Sequence, residues 1–96
     1  MNRENLILQL KALQPIILEG YHAELRGVFG SWARNEQQTN SDLDVLVCFL
    51  PGATLLDLSG LRIYLEEELQ IPIDLVSEKG VHKDIEPYIY KDLISI

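Results

Sequence analysis

The stretch GSWARNEQQTNSDLDVLV, residues 30–47, indicates more about this chain than any other segment. It contains two aspartates one residue apart, Asp42 and Asp44, at the start of the apolar run 45–50. Side chains at positions i and i+2 of an extended strand point to the same face, so the two carboxylates are predicted to converge on one hard cation. Because two unpaired carboxylates side by side repel each other, the pair favours a site that Mg²⁺ occupies during function.

The Gly-Ser pair at the start of this stretch, Gly30 and Ser31, predicts a phosphate site. It follows a second apolar run, residues 25–29, which Arg26 and Gly27 interrupt, and precedes Trp32-Ala33-Arg34, which can begin a helix. A strand that turns through glycine into a helix presents free backbone N–H groups and a hydroxyl at one spot. Glycine lets the backbone approach the ligand closely, and serine adds a short donor. A phosphate site beside a cation site predicts nucleotide binding.

A third carboxylate lies further along the chain. The segment Ile71-Pro72-Ile73-Asp74-Leu75-Val76 is predicted to be a short strand with one acidic residue, Asp74. A charge in an apolar stretch is costly unless it is paired or bound to metal. If this strand lies beside the strand that begins at Asp44, the three carboxylates form a cluster suited to two cations. One cation would activate the attacking oxygen and the other would steady the triphosphate.

These residues resemble the signature of the polymerase-β-type nucleotidyltransferases: a Gly-Ser pair, ten intervening residues, then Asp-x-Asp. The later IDLV resembles the third catalytic acid of that family. The short chain and the segments FGSWARNE and SDLDVLV are most similar to the minimal nucleotidyltransferases, the MntA-type antitoxin partners of HEPN-domain ribonuclease toxins. The resemblance covers about residues 25–76. Asn35 stands where many relatives carry glycine, and asparagine tolerates left-handed backbone geometry, so we expect the turn to survive.

The resemblance implies an α/β fold with a small mixed sheet flanked by helices. It also implies Mg²⁺-dependent transfer of AMP from ATP to a tyrosine of a HEPN ribonuclease, so that the chain acts as an antitoxin. In that scheme Asp42 and Asp44 hold the cations and Asp74 is the third ligand and the base. Gly30 and Ser31 hold the β- and γ-phosphates.

Two further residues of the motif each allow two interpretations. Arg34 could reach the triphosphate, but an arginine after a tight turn is often an ordinary surface residue. Trp32 could stack near the nucleotide base, although a lone tryptophan is more often part of the packing. The motif therefore predicts Arg34 as a nucleotide-binding candidate, and Trp32 as a core residue.

Length and charge restrict the classes of partner. Ninety-six residues predict a single domain, residues 1–96, with one core and no room for a second lobe that grips the acceptor. The acceptor is therefore expected to be small, or to be a protein that docks. A net charge of −7 with eight basic residues argues against nonspecific nucleic-acid binding. With no apolar stretch near roughly 18 residues and no leader pattern, the chain is expected to be cytoplasmic.

The hydrophobic periodicity predicts helices around these strands. Residues 3–18 form a helical stripe that Pro15 is expected to break or kink. A second helix, capped by Thr54, is expected to bury one face, with Gly60 weakening its middle. That face carries Leu55, Leu58, Leu61, Leu65 and Leu69. The tail, residues 82–96, is expected to form a short helical element that packs on the sheet.

Two other functions remain open at this stage. One is a free-standing transferase that modifies a small molecule such as an antibiotic, which the missing acceptor lobe disfavours. The other is a noncatalytic module that neutralises a toxin by covering it. The presence of all three carboxylates and the Gly-Ser pair disfavours this second function.

Overall fold

A four-stranded mixed sheet forms the centre of the molecule in the computed structural model, which describes residues 2–96. The strand order is β3-β2-β1-β4, with β2 parallel to β3 and the other neighbours antiparallel. This architecture confirms the expected mixed sheet flanked by helices. In chain order the elements are α1 (Arg3–Tyr21), β1 (Ala23–Phe29), α2 (Gly30–Ala33), β2 (Leu43–Phe49), α3 (Leu55–Leu69), β3 (Ile73–Ser77), a 3₁₀ turn (Glu78–Gly80), α4 (Glu86–Asp92) and β4 (Ile94–Ser95).

The two faces of the sheet are covered differently. Val45 and Val47 of β2 belong to the hydrophobic core that α1 and α3 cover. Because side chains alternate along a strand, Asp44 and Leu46 point to the opposite face. There α4 contributes a buried Ile89, separate from the main core. Asp44 thus lies on the face of the sheet that carries the short α4 helix, opposite to α1 and α3.

Helix α1 continues past Pro15, so of the two expected effects of this residue, a break or a kink, the break does not occur. Pro15 lies on the exposed side of the helix, and the carbonyl that loses its hydrogen bond, that of Lys11, belongs to an exposed residue that water can reach. Gln14 ties the same turn to β1, since its side chain accepts from Leu25 N at 2.8 Å and donates to Leu25 O at 3.0 Å. These contacts favour the helix where propensity alone opposes it.

Helix α3 begins as predicted, with a capping box between Thr54 and Asp57. One predicted core position is wrong: Leu55 is 80% exposed, and its neighbour Leu56 in the first turn of α3 is exposed as well. Gly60, expected to weaken the middle of α3, also lies where this helix packs against α1. A Cβ there would stand 3.1 Å from the ring of Tyr21, so the glycine lets α1 and α3 approach closely.

The tail forms the expected helical element, α4, followed by a strand that the sequence did not predict. β4 pairs with β1 through Gly27 and Val28. Gly27 permits this pairing, because a Cβ there would lie 2.5 Å from the carbonyl oxygen of Ile94. Within residues 2–96, none of the helices has the length and apolar character needed to cross a membrane.

Candidate active site

Strand pairing brings the predicted residues together at one end of the sheet. The parallel register of β2 and β3 places Asp44 directly beside Asp74. The antiparallel register of β1 and β2 places Phe29 opposite Asp44, so that Gly30 follows at the same end. Directly paired residues of neighbouring strands share a face of the sheet. Two of the three predicted carboxylates and the Gly-Ser pair therefore meet, as the sequence indicated.

Gly30 lies against the carboxylate of Asp44. Its backbone φ is +75°, a conformation that residues with a Cβ rarely adopt. A Cβ at this position would also collide with Oδ2 of Asp44. Helix α2 begins at Gly30, and the first N–H groups of a helix have no partner within it. The backbone donors of Gly30 and Ser31 are thus next to the carboxylate pair.

The carboxyl group of Asp44 has a strongly perturbed pKa. This pKa is raised from 3.8 to about 6, by burial first, and then by the charge of Asp74, a hydrogen bond to Asp74 and the charge of Asp42. Arg34 opposes this shift. A partly buried carboxylate among like charges is unfavourable until a cation joins it. Perturbed groups of this kind cluster at functional sites.

Asp42 lies at the margin of the cluster. It is exposed, one residue before β2, and its charge reaches Asp44. In residues 2–96, no three Asp, Glu, His or Cys side chains are arranged as a finished metal site. The chemistry of the donor set nevertheless fits Mg²⁺, which prefers one or two carboxylates together with waters and substrate phosphates to a cage made of protein alone. Asp44 beside Asp74 meets that requirement.

An open groove of about 670 Å³ runs from the Gly-Ser pair along the polar loop after α2. Arg34 lies in this groove, where its guanidinium donates to Asp92 at 2.8 Å and to Glu36 at 3.2 Å. These hydrogen bonds, to Asp92 first, raise the pKa of Arg34. Sequence reasoning missed Asp92, since no local pattern links it to Arg34. The groove is lined by Ser31, Arg34, Glu36, Gln38, Thr39, Asn40 and Ser41.

Trp32 and Asn35 behave as the sequence predicted. Trp32 is 7% exposed and belongs to the hydrophobic core, so its interpretation as a packing residue is confirmed. Its indole nitrogen has no hydrogen-bond partner among the residues that the structure describes. Asn35 has a φ of +60°, the left-handed geometry expected where relatives carry glycine.

Comparison with known proteins identifies the family. The model of the nucleotidyltransferase domain family matches residues 10–95, which is most of the chain. The chain belongs to this family. It is therefore a nucleotidyltransferase, and the matched residues include the Gly-Ser pair, the Asp-x-Asp pair and Asp74.

Relatives place this nucleotidyltransferase in the minimal branch of the family. The protein adenylyltransferase MntA of Thermococcus cleftensis is 33% identical over 98 residues, which cover 94% of this chain and 98% of the relative. A solved structure provisionally assigned as a minimal nucleotidyltransferase superposes with a TM-score of 0.84 at 35% identity, covering 100% of this chain and 97% of that one.

A toxin–antitoxin structure determined with AMP-PNP shares the fold. Its TM-score is 0.70 at 21% identity, and the match covers 99% of this chain and 72% of that chain. At this identity the similarity shows a common fold.

Proposed function

We propose that this nucleotidyltransferase transfers AMP from ATP to a tyrosine of a HEPN-domain ribonuclease and thereby acts as its antitoxin. The observation that carries the proposal is the contact of Gly30 with Asp44, which is in register with Asp74. A phosphate-binding backbone beside paired carboxylates is what nucleotide transfer needs. The name of the Thermococcus relative, protein adenylyltransferase MntA, supports a protein acceptor. The shared fold of the toxin–antitoxin structure with AMP-PNP is consistent with it.

Each site residue has a role in this proposal. Gly30 and Ser31 bind the β- and γ-phosphates, and Arg34 contacts the triphosphate in the groove that it lines with Ser31. Asp42, Asp44 and Asp74 would hold one or two Mg²⁺ ions, which when bound would neutralise charge that develops on the triphosphate. A larger set of ligands is not needed, because the substrate phosphates supply the remaining oxygens.

The chemical step is a displacement at the α-phosphorus. The tyrosine oxygen forms a bond to this phosphorus, and the bond between the phosphorus and the oxygen of the departing pyrophosphate breaks. Asp74, exposed on the edge strand β3, accepts the proton of the tyrosine hydroxyl. In this proposal residues 1–96 form one domain that works in the cytoplasm, and docking of the acceptor protein positions the tyrosine hydroxyl for attack.

The identity of the acceptor is tested by intact-mass spectrometry. The purified chain is incubated with ATP, Mg²⁺ and its HEPN partner, and then with partner variants in which one tyrosine at a time becomes phenylalanine. We expect one or more AMP units on the wild-type partner and none when the acceptor tyrosine is replaced. Transfer to a small molecule with none to any protein would contradict the proposed acceptor.

A further inference from the structure

A second cavity lies on the same face of the sheet as the carboxylates. It has a volume of about 350 Å³ and lies between the sheet and the segment that leads into α4. Its walls are almost entirely apolar, with one imidazole among them. The side chains that form them, with the backbone of Gly80, are those of Phe29, Val76, Val81, His82, Ile85 and Ile89. We call it the α4 cavity.

Strand register shows how close the α4 cavity is to the carboxylates. Phe29, in its wall, is the residue paired with Asp44. Val76, also in its wall, follows Asp74 by two residues on the same strand and therefore shares its face. Two residues of a strand span about 6.6 Å. The cavity thus begins one side-chain row from the paired carboxylates.

The direction of the proposed reaction indicates which part of the substrates reaches this cavity. The β-phosphate is placed at Gly30 and Ser31, after β1, and the proton acceptor Asp74 lies on β3. Attacking and leaving oxygens are roughly in line in phosphoryl transfer. The reaction axis therefore crosses the sheet from β1 over β2 to β3.

The ribose oxygen leaves the α-phosphorus roughly perpendicular to that axis. One perpendicular direction runs along the strands, from the carboxylate row toward the row of Val76, where the α4 cavity begins. The acceptor approaches instead along the axis, from the edge strand β3. The adenine base is therefore directed toward the α4 cavity, and the acceptor tyrosine toward the edge strand β3.

We propose that the α4 cavity binds the adenine base of ATP, an inference that rests on the proposed function. Apolar walls suit the two faces of a purine ring, with a few polar groups at the rim. His82 supplies one such group: its Nδ1 lies 3.3 Å from the backbone N–H of Asp84, which donates to it. The other ring nitrogen, Nε2, is left for a hydrogen bond to the edge of the base.

Calorimetric titration of ATP and of tripolyphosphate, both with Mg²⁺, tests this site. Tripolyphosphate presents the phosphates without the base, so it reports on the Gly-Ser site alone. The variant is Ile85→Asn, which places an amide in the apolar wall. Ile85 precedes α4 and is about half exposed, so the asparagine amide can also reach solvent and the helix is expected to persist. The matched control is Ile63→Asn on α3, since Ile63 is 51% exposed and Ile85 is 53% exposed.

We expect the wild-type chain to bind ATP at least about 10-fold more tightly than tripolyphosphate, because the base buries apolar surface. Ile85→Asn should weaken ATP binding about 10-fold and leave tripolyphosphate binding unchanged, whereas Ile63→Asn should change neither. Equal affinity of the wild-type chain for both ligands, or an Ile85→Asn variant with normal ATP affinity, would overturn the base site and leave the phosphate site intact. Failure to bind either ligand would overturn the proposed function, and the base site with it.

Discussion

At the scale of the residue, Asp44 has an unfavourable position in the free protein. Its carboxyl is partly buried, adjoins Gly30, and shares its end of the sheet with Asp42 and Asp74. Those surroundings raise its pKa to about 6, so that near neutral pH the folded chain holds a charge that its environment opposes. Side chains held in strained or electrostatically unfavourable positions are common at binding sites, where the ligand removes the unfavourable interaction.

The first prediction concerns the variant Asp44→Asn. If cation placement contributes several kcal/mol to transition-state stabilisation, AMP transfer should fall at least ~100-fold, because each ~1.36 kcal/mol corresponds to a factor of ten. The fold should persist and become more stable at neutral pH, since the repelled charge is gone. Transfer rates and thermal melting of the same preparations check both statements. A variant that melts well below the wild type would show Asp44 to be structural, and normal transfer would show it to be a bystander.

The second prediction follows from the sign of the pKa shift. The folded-state pKa of Asp44, about 6, lies above the ordinary value of 3.8, so the folded state binds this proton more tightly than the unfolded state does. The resulting stability is fully present below about pH 3.8 and is lost as the pH rises through about 6. Because Asp44 is partly solvated, we expect a difference on the order of 1 kcal/mol. Urea denaturation of the wild type and Asp44→Asn at about pH 4 and pH 7 measures the free energy of unfolding. The contribution of Asp44 should be lost between these pH values in the wild type and not in the variant. Parallel pH profiles of the two proteins would contradict the pKa shift.

A third prediction concerns Gly30. Gly30→Ala places a Cβ against the Asp44 carboxylate and in a left-handed conformation, which costs about 1–2 kcal/mol before the collision is counted. We expect lower stability and loss of ATP binding. Gly52→Ala is the control, because Gly52 also has positive φ, +94°, but has no atom within 4 Å of an added Cβ. Equal losses of ATP binding in the two variants would show that the contact with Asp44 has no special importance.

At the scale of the element, contacts distant in sequence decide what local signals do not. Helix α1 does not break at Pro15, and the side chain of the preceding Gln14 bonds both backbone groups of Leu25, 11 residues away. The strand β4 has only two residues, Ile94–Ser95, and exists because Gly27 leaves room for it. No local sequence pattern predicts either feature. Local patterns do predict the capping box of α3 and the strand that follows Asp42.

The fourth prediction belongs to α1. Gln14→Ala removes two hydrogen bonds and leaves the partly buried N–H and C=O of Leu25 without these partners. The expected destabilisation is about 1–3 kcal/mol. Gln9→Ala is the matched control, because Gln9 makes one exposed hydrogen bond, to the carbonyl of Glu68 at 3.2 Å, and should cost less than about 0.5 kcal/mol. Chemical denaturation compares the two, and an equal effect would contradict the role given to Gln14.

At the scale of the whole molecule, the sequence motif predicted the location of the site better than its details. The spacing from Gly30 to Asp44, together with Asp74, was enough to predict that these residues meet, because strand order and register follow from a known pattern. The ion pair of Arg34 with Asp92 and the α4 cavity were not predicted. Both depend on where the tail packs, and that packing is decided by its contacts with β1 and α2, which are distant in sequence.

The catalytic role of the carboxylates is the central claim, and one measurement tests it most directly. The proposed HEPN partner is incubated with ATP, Mg²⁺ and either the wild-type chain or the double variant Asp42→Asn, Asp44→Asn. Intact mass and RNA cleavage of the partner are then read from the same sample. The wild type should add AMP and abolish cleavage, while the double variant should add none and leave cleavage active. Suppression of cleavage by the double variant, with no mass added, would contradict the claim and show that the chain neutralises its partner merely by covering it.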